Sequence, residues 1–410
     1  MSALAHQIYE MSPAKYIFRH LVLQTWSGRG DLNLNYPCLK PNKQKRIQTK
    51  LKHKDAARAQ TAFKLEALVF MVLYNLEIML NYLSKRTIYQ CVPIYNLNWI
   101  KRKKFFNKIL KDRVITLVDV GARSGSAEEL KPLEDHINYI GFDADAEEVK
   151  RLNSVKNNYK NSKFIASFIS KDQEEVIFNL HKDGATSSVY DFSQRYLKWY
   201  HDINLNPVDR VIKLNANSLD SLVKEDVDII KLDTQGNEFE ILSGAQRCLN
   251  EALMVEIEVE FVQIYEGQKL AYSVMELMNS KGFDLLYLNR VFSSSKTFRG
   301  LSRGQLIFGD ALFGLSRELA LNLSIDKKIK YCSLLINYGH IDFAYDIFNN
   351  CSELRSSSTQ LTEYFDNANC YPPKFITLIK FIIDKVCFVL LFLRKTNGLV
   401  GDSDRSWPVR

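Results

Sequence analysis

No apolar run in this chain reaches the length of a membrane span, about 20 nearly uncharged residues. The two best candidates both fall short. Leu65 to Leu83 is interrupted by Glu66, Asn75, Glu77 and Asn81, and the unbroken apolar part of Pro373 to Arg394 is only Val386 to Leu393. The first reads as a buried or interface helix, and the basic run upstream keeps a membrane-surface role open. The second, where Lys380, Asp384 and Lys385 recur, reads as an amphipathic helix docked on the core or lying on a membrane surface. Paired cysteines are missing too. The seven cysteines (Cys38, Cys91, Cys248, Cys332, Cys351, Cys370 and Cys387) are odd in number, widely spaced and without a CxxC pair. That argues against a disulfide frame and a zinc site, and for reduced thiols in a cytosolic protein. His136, His181 and His201 are scattered and lack ligand spacing, so no metal is expected. The N-terminus has no basic start leading into a clean apolar core, and no secretory signal is expected.

Strong charge is absent as well. The net charge of +8 is gathered in two clusters, Lys40 to Arg58 and Lys101 to Lys104. Such runs are usually solvated, and no nucleic-acid partner is expected from them.

What is present is organised around Val114 to Asp145, VITLVDVGARSGSAEELKPLEDHINYIGFDAD. A branched apolar run ends in acid, breaks at a glycine turn, passes through a segment of helical length and resumes as a second apolar run ending in acid. This is the pattern of a βαβ unit whose loop lies at the carboxyl end of the first strand, the edge where open α/β sheets bind ligands. Glu147 to Asn158 reads as a helix and Lys163 to Ile169 as a third strand. Glu175 to Leu180 is an extra strand, Gly184 to Tyr190 a polar loop and Val211 to Leu214 a short strand. Asp226 to Asp233 is the fourth core strand, and TQGNEFEILSGAQRCL continues it as one amphipathic helix. Met254 to Val259, Phe283 to Leu288 and Gln305 to Phe313 supply strands five to seven, the last two able to pair as a hairpin. From Leu315 the pattern turns helical: Ser324 to Tyr338 and Ile341 to Asn350 form a helix pair, and Ser352 to Thr362 reads as a polar linker. The expected organisation is a basic extension over 1–60, a helical lead-in over 61–112, a catalytic domain over 113–314, a helical region over 315–395 and a tail over 396–410.

In Asp119-Val-Gly-Ala-Arg-Ser-Gly125 the glycines let the backbone turn sharply and approach a ligand closely. Their G-x-x-x-G spacing fails the dinucleotide fingerprint G-x-G-x-x-G, which disfavours a dinucleotide oxidoreductase, and the lysine of a phosphate-binding P-loop is missing. The turn suits a nucleoside with a charged amino-acid tail, such as S-adenosylmethionine, whose carboxypropyl portion would face the main chain. Asp143, at the end of the second strand with Asp145 two residues on, could accept two hydrogen bonds from a ribose diol. Alone, this pairing suits a structural turn equally well.

A second block adds to it. IIKLDTQGNEFEILSGA resembles the hallmark segment of the FkbM family of methyltransferases, with Lys231, Asp233, Gln235, Gly236, Glu238, Leu242, Gly244 and Ala245 in place. Val118 to Gly125 resembles that family's first motif and GFDAD its acidic strand end, with Arg123 where Asn is commoner and Asp143 where Glu is commoner. The resemblance covers Val114 to Phe313. It implies an α/β, Rossmann-like, doubly wound, seven-stranded, mostly parallel sheet, here with helical N- and C-terminal flanks, and an S-adenosylmethionine-dependent O-methyltransferase. Its acceptor would be a hydroxyl of a sugar, a glycan, a lipid-linked molecule or a polyketide-type small molecule. Asp119, Gly121, Ala122, Arg123, Gly125, Asp143 and Asp145 would bind cofactor. Ser187, Ser188, Gln235 and Glu238 would line the substrate side. The base would be Asp233, or Glu256 or Glu258 on the fifth strand, with Glu256 favoured because buried strand acids are costly unless paired or functional. The alternative is a non-catalytic methyltransferase-like scaffold using its basic and apolar flanks to bind a membrane or partner. A cytoplasmic protein with possible peripheral membrane contact is expected.

Overall fold

The structure, a computed structural model, describes residues 99–369 apart from 124, 126, 172, 183, 201–207, 294 and 299–303. The expected basic extension, the Leu65–Leu83 helix, the Pro373–Arg394 helix and the tail lie outside the described residues. Among those described, no helix is long and apolar enough to cross a membrane.

The elements run α1 (Trp99–Leu110), β1 (Ile115–Val120), a 3₁₀ segment (Glu128–His136), β2 (Ile137–Asp143), α2 (Ala146–Ser154), β3 (Asn161–Ala166), β4 (Phe168–Ile169) and β5 (Glu175–His181). After a short 3₁₀ turn (Gly184–Thr186) come α3 (Gln194–Trp199), β6 (Val208–Asn217), α4 (Leu219–Leu222), β7 (Ile229–Leu232), α5 (Glu238–Ser243), α6 (Gln246–Glu251) and β8 (Met254–Glu260). The chain continues through α7 (Ala271–Ser280), β9 (Phe283–Ser293), β10 (Gln305–Leu315), α8 (Arg317–Ala320), α9 (Ile325–Tyr338), α10 (Ile341–Asn349), α11 (Ser352–Ser357) and α12 (Thr359–Ala368).

The main sheet has seven strands in the order β3-β2-β1-β7-β8-β10-β9. Its first five are parallel, and β10 runs antiparallel to both β8 and β9. This is the expected doubly wound arrangement closed by a hairpin. Every residue of β1 is buried because helices cover both faces, which is why the central strands read as continuous apolar runs rather than alternating ones. One face packs Val118, Val120, Ile230, Leu232, Val255 and Ile257 against Ile241, Leu242 and Leu249 of α5 and α6 and Val274 of α7. The other packs Ile115, Leu117, Ile229 and Met254 against α1 and the helices that follow β10, through Phe106, Ile329, Leu335, Phe343, Leu354, Leu361 and Phe365. The extra strands β5 and β6 form a separate sheet in the order β4-β6-β5, inserted between β3 and β7.

Three local expectations are corrected. The β1–β2 connection is a 3₁₀ segment with Pro132 inside it rather than an α-helix, as a proline that donates no N–H favours. The helix after β7 is two short helices, because the chain breaks at Gly244, where a Cβ would stand 2.7 Å from the Lys171 Cα. Ser352 to Thr362 is no linker but the whole of α11 and the start of α12. Leu354 of α11 and Leu361 and Phe365 of α12 are fully buried, hidden in the sequence by intervening serines.

Candidate functional site

The carboxyl ends of β1, β2, β7 and β8 meet at one edge of the sheet, and most of the site residues expected from sequence gather there. Gly121 leaves β1 with φ +86, and a Cβ at this position would lie 2.0 Å from the Asp233 carbonyl oxygen. The turn after β1 is therefore pressed against the end of β7, and only glycine allows that approach. Gly121 N–H and Ala122 N–H both donate to the Phe142 carbonyl, at 2.9 and 3.0 Å. Arg123 N–H donates to Gly121 O at 2.8 Å and Gly125 N–H to Ala122 O at 2.9 Å. These four donors, those of the described residues of the turn, are used within the fold.

Arg123 and Asp145 pair with each other, Nη1 to Oδ2 at 3.5 Å. Asp145 also accepts Glu147 N–H at 3.1 Å as the N-cap of α2, and a Cβ on Gly184 would overlap the Arg123 guanidinium. Both residues therefore anchor α2 and the loop after β5. Asp143 accepts Asp145 N–H at 2.8 Å through Oδ1. Burial raises its pKa to about 6, against the opposing pull of that bond and of Arg123.

A polar row crosses the sheet one step below the edge. Asp119, Lys231 and Glu256 occupy paired positions on β1, β7 and β8, on the face covered by α9. Asp119 is 1 % exposed. Its Oδ2 accepts from the Tyr139 hydroxyl, its Oδ1 lies 4.0 Å from Lys231 Nζ, and Oδ1 has no hydrogen-bond partner among the described residues. Burial raises the Asp119 pKa while Lys231 opposes the shift, and Asp119 in turn raises the lysine's. Glu256 accepts from the Tyr338 hydroxyl of α9 at 2.9 Å. Burial, with Glu129 adding to it, pushes Glu256 up to about 8. Glu256, expected from sequence as the favoured base, is thus engaged by α9 one row below the edge.

At the edge itself Asp233 is exposed. Glu258, buried less deeply than Glu256, stands beside it. The Gln235 side chain joins them, with Nε2 donating to Asp233 Oδ1 at 3.1 Å and to Glu258 Oε2 at 2.9 Å. Burial, then the charges of Asp233, Glu260, Glu238 and Asp310, raise Glu258 well above the usual carboxylate range. Glu260 is only 3 % exposed, so the end of β8 does not run out into solvent.

Glu238, expected on the substrate side, is buried. It accepts Thr234 N–H at 2.7 Å, the Thr234 hydroxyl at 3.0 Å and Gly236 N–H at 2.9 Å, closing the turn that starts α5. Burial lifts it to about 7. Ser187 is also structural, accepting His181 N–H at 3.0 Å. Ser188 is fully buried and donates to the Gln235 carbonyl at 2.8 Å, tying the 184–190 loop to the β7 turn. Tyr265, which no motif marks, donates to Gln235 Oε1 at 2.9 Å. Beside this turn a cleft of about 490 Å³ is lined by Phe168, Glu174, Val189, Tyr190, Asn237 and Glu240 among others. Among the described residues no group of His, Cys, Asp and Glu could hold a metal ion.

The edge thus collects the carboxyl groups of Asp143, Asp233, Glu258 and Glu260 above the row of Asp119, Lys231 and Glu256, an acidic setting suited to a cationic ligand. The unpartnered Asp119 oxygen would be satisfied by an ammonium donor, and the Asp143 carboxylate by a diol. S-adenosylmethionine carries an ammonium, a sulfonium and a ribose diol, so the residues present fit it.

Residues 119–285 match the family model described as Methyltransferase FkbM domain. A comparison with curated proteins gives no match. Among solved structures, this chain is similar to a methyltransferase FkbM from Methylobacillus flagellatus at 14 % identity and a TM-score of 0.27, over 48 % of this chain and 43 % of that one. The chain therefore spans less than half the length of that protein. A TehB-like methyltransferase from Corynebacterium glutamicum is similar at 13 % identity and a TM-score of 0.26, over 52 % and 87 % of the two chains. The N-terminal domain of EvdMO1 with S-adenosylhomocysteine bound is similar at 8 % identity and a TM-score of 0.27, over 53 % and 81 %.

Proposed function

We propose that this protein methylates a hydroxyl with S-adenosylmethionine as the methyl donor, a reading supported by the match of residues 119–285 to the Methyltransferase FkbM domain. The acceptor would be a sugar, a glycan, a lipid-linked molecule or a polyketide-type small molecule. The observation that carries the reading is the exposed Asp233 carboxylate at the end of β7, against the glycine turn of β1 and held through Gln235.

When bound, S-adenosylmethionine supplies an electrophilic sulfonium methyl: the acceptor oxygen forms the new O–C bond, the C–S bond breaks, and a neutral thioether leaves. Asp119 would accept from the cofactor ammonium, and Asp143 from the ribose hydroxyls. Asp233 would take the proton of the acceptor hydroxyl as the bond forms, and its placement matters as much as its basicity. The cleft beside Tyr190 and Asn237 gives an acceptor a mixed aromatic and polar seat next to this turn.

Calorimetry and methyl-label transfer test the reading together. Wild-type protein should bind S-adenosylmethionine and label a hydroxylated acceptor from a panel of glycans and polyketide-type compounds. Asp233→Asn should still bind the cofactor while transfer falls about 10²- to 10⁴-fold, the usual weight of a general base. No heat with S-adenosylmethionine, binding of NADH in its place, or full transfer by Asp233→Asn would overturn it.

A further inference from the structure

We infer that Gln235 is a positioning residue, whose side-chain amide holds Asp233 and Glu258 apart as two separate carboxyl groups and keeps Asp233 turned to the acceptor. The inference rests on Asp233 being the base of the proposed reaction.

Four bonds fix Gln235. Its carbonyl accepts from Ser188 Oγ at 2.8 Å, and its Oε1 from the Tyr265 hydroxyl at 2.9 Å. Its Nε2 donates to Asp233 Oδ1 and Glu258 Oε2, at 3.1 and 2.9 Å. With the NH₂ facing the two acids and Oε1 facing the Tyr265 hydroxyl, every polar end of the amide meets a complementary partner. The backbone shows the demand this placement makes. Gln235 has φ +59, and Lys111 is the only other non-glycine residue with positive φ among those described. A side chain is held in that region only when its surroundings over-determine it.

The setting explains what the amide prevents. Glu258 is faced by Asp233, Glu238, Glu260 and Asp310, with the Tyr265 hydroxyl close by. The cation of this face, Lys231, sits one row deeper against Asp119. Two carboxyl groups in such company share a proton when nothing lies between them, and a proton held between them would block the oxygen that must accept another. An N–H pair donated to both lets each keep its own state.

The test is Gln235→Leu, which removes the donor at similar size, beside Gln235→Glu, which keeps the shape and adds an acid. Both should leave the affinity for S-adenosylmethionine unchanged by calorimetry. Both should also move the acidic limb of the kcat profile up by about one pH unit, so that kcat below the limb falls about tenfold. Carboxyl-carbon NMR titration of cofactor-free protein should show the Asp233 and Glu258 resonances titrating as one coupled pair in Gln235→Leu and separately in wild type. Tyr265→Phe, which frees Oε1, should shift the limb in the same direction by less. A kcat loss with an unmoved limb, or carboxyl titrations identical to wild type, would overturn the inference. The NMR experiment needs neither cofactor nor acceptor, so it stands even if the wild type fails to transfer methyl.

Discussion

Asp143 shows how a single carboxylate couples ligand binding to pH. Its pKa of about 6 lies well above the ordinary aspartate value because burial disfavours the charge. The sign follows directly. A raised carboxyl pKa means that the folded protein holds this proton more tightly than the unfolded chain, so the group lowers folding stability as pH rises from about 4 through 6. A diol donating to the ionised carboxylate would offset that cost, and protonation would compete with it. Affinity for S-adenosylmethionine should therefore weaken below pH 6, approaching tenfold per unit, and Asp143→Asn should bind more weakly with this pH dependence largely flattened. Calorimetry at pH 5 and pH 7.5 checks it, and equal wild-type affinities at the two values would remove Asp143 from the ribose site. The residue types at the edge were legible in the sequence, since strand-end acids and a glycine turn announce themselves. Their partners were not. That Asp145 caps α2, Glu238 closes its own turn and Ser188 binds the Gln235 carbonyl depends on loops whose approach no spacing encodes.

At the scale of the elements, β8 explains why Glu256 was read as the base. Alternation along MVEIEVE shows that Glu256, Glu258 and Glu260 share a face, but it says nothing of depth along the strand. Depth is set by the register with β7, which places Glu256 beside Lys231 and below Asp233, and by α9, whose Tyr338 reaches it. Glu256 then behaves as a buried acid kept neutral near neutral pH, pushed up to about 8 by burial. Stability associated with it is lost as pH rises from about 4.5 through 8, because the folded state must then carry a buried charge. Glu256→Gln should accordingly raise Tm relative to wild type at pH 9 and lose that advantage at pH 6, with methyl transfer retained within a few-fold. A Tm difference independent of pH, or a collapse of transfer at normal cofactor affinity, would return Glu256 to the list of candidate bases. The helices after β7 carry a parallel lesson: Phe239, Leu242 and Ala245 give one helical period, while the break at Gly244 is imposed by the backbone of residue 171 arriving from a distant part of the chain.

Across the whole molecule, the core strands were readable because a doubly wound sheet is written in apolar runs separated by glycine turns. The helices after β10 were harder. Their sequence marks a helical region, yet the structure makes them one wall of the sheet's own core. Lys327 and Lys330 of α9 reach the buried Asp228 before β7, at 3.2 and 3.1 Å, and Tyr331 donates to the Leu315 carbonyl at 2.6 Å. Leu335, fully buried in that wall, should cost about 2–5 kcal/mol when cut to alanine, through lost transfer energy and the cavity left behind. Because sheet and helices share this packing, scanning calorimetry of Leu335→Ala should show their unfolding as one transition at lower temperature. A second transition left at the wild-type temperature would mean that the helices are a separate folding unit.

The acidic edge has one more consequence, for the order of events in a catalytic cycle. On the proposed reading, the donor arrives carrying a sulfonium charge and the spent molecule departs without it. An edge carrying the Asp143 and Asp233 carboxylates attracts the former more strongly than the latter. The same charges that recruit the donor would therefore relax their hold once the methyl has gone, and exchange of spent cofactor for fresh would run downhill.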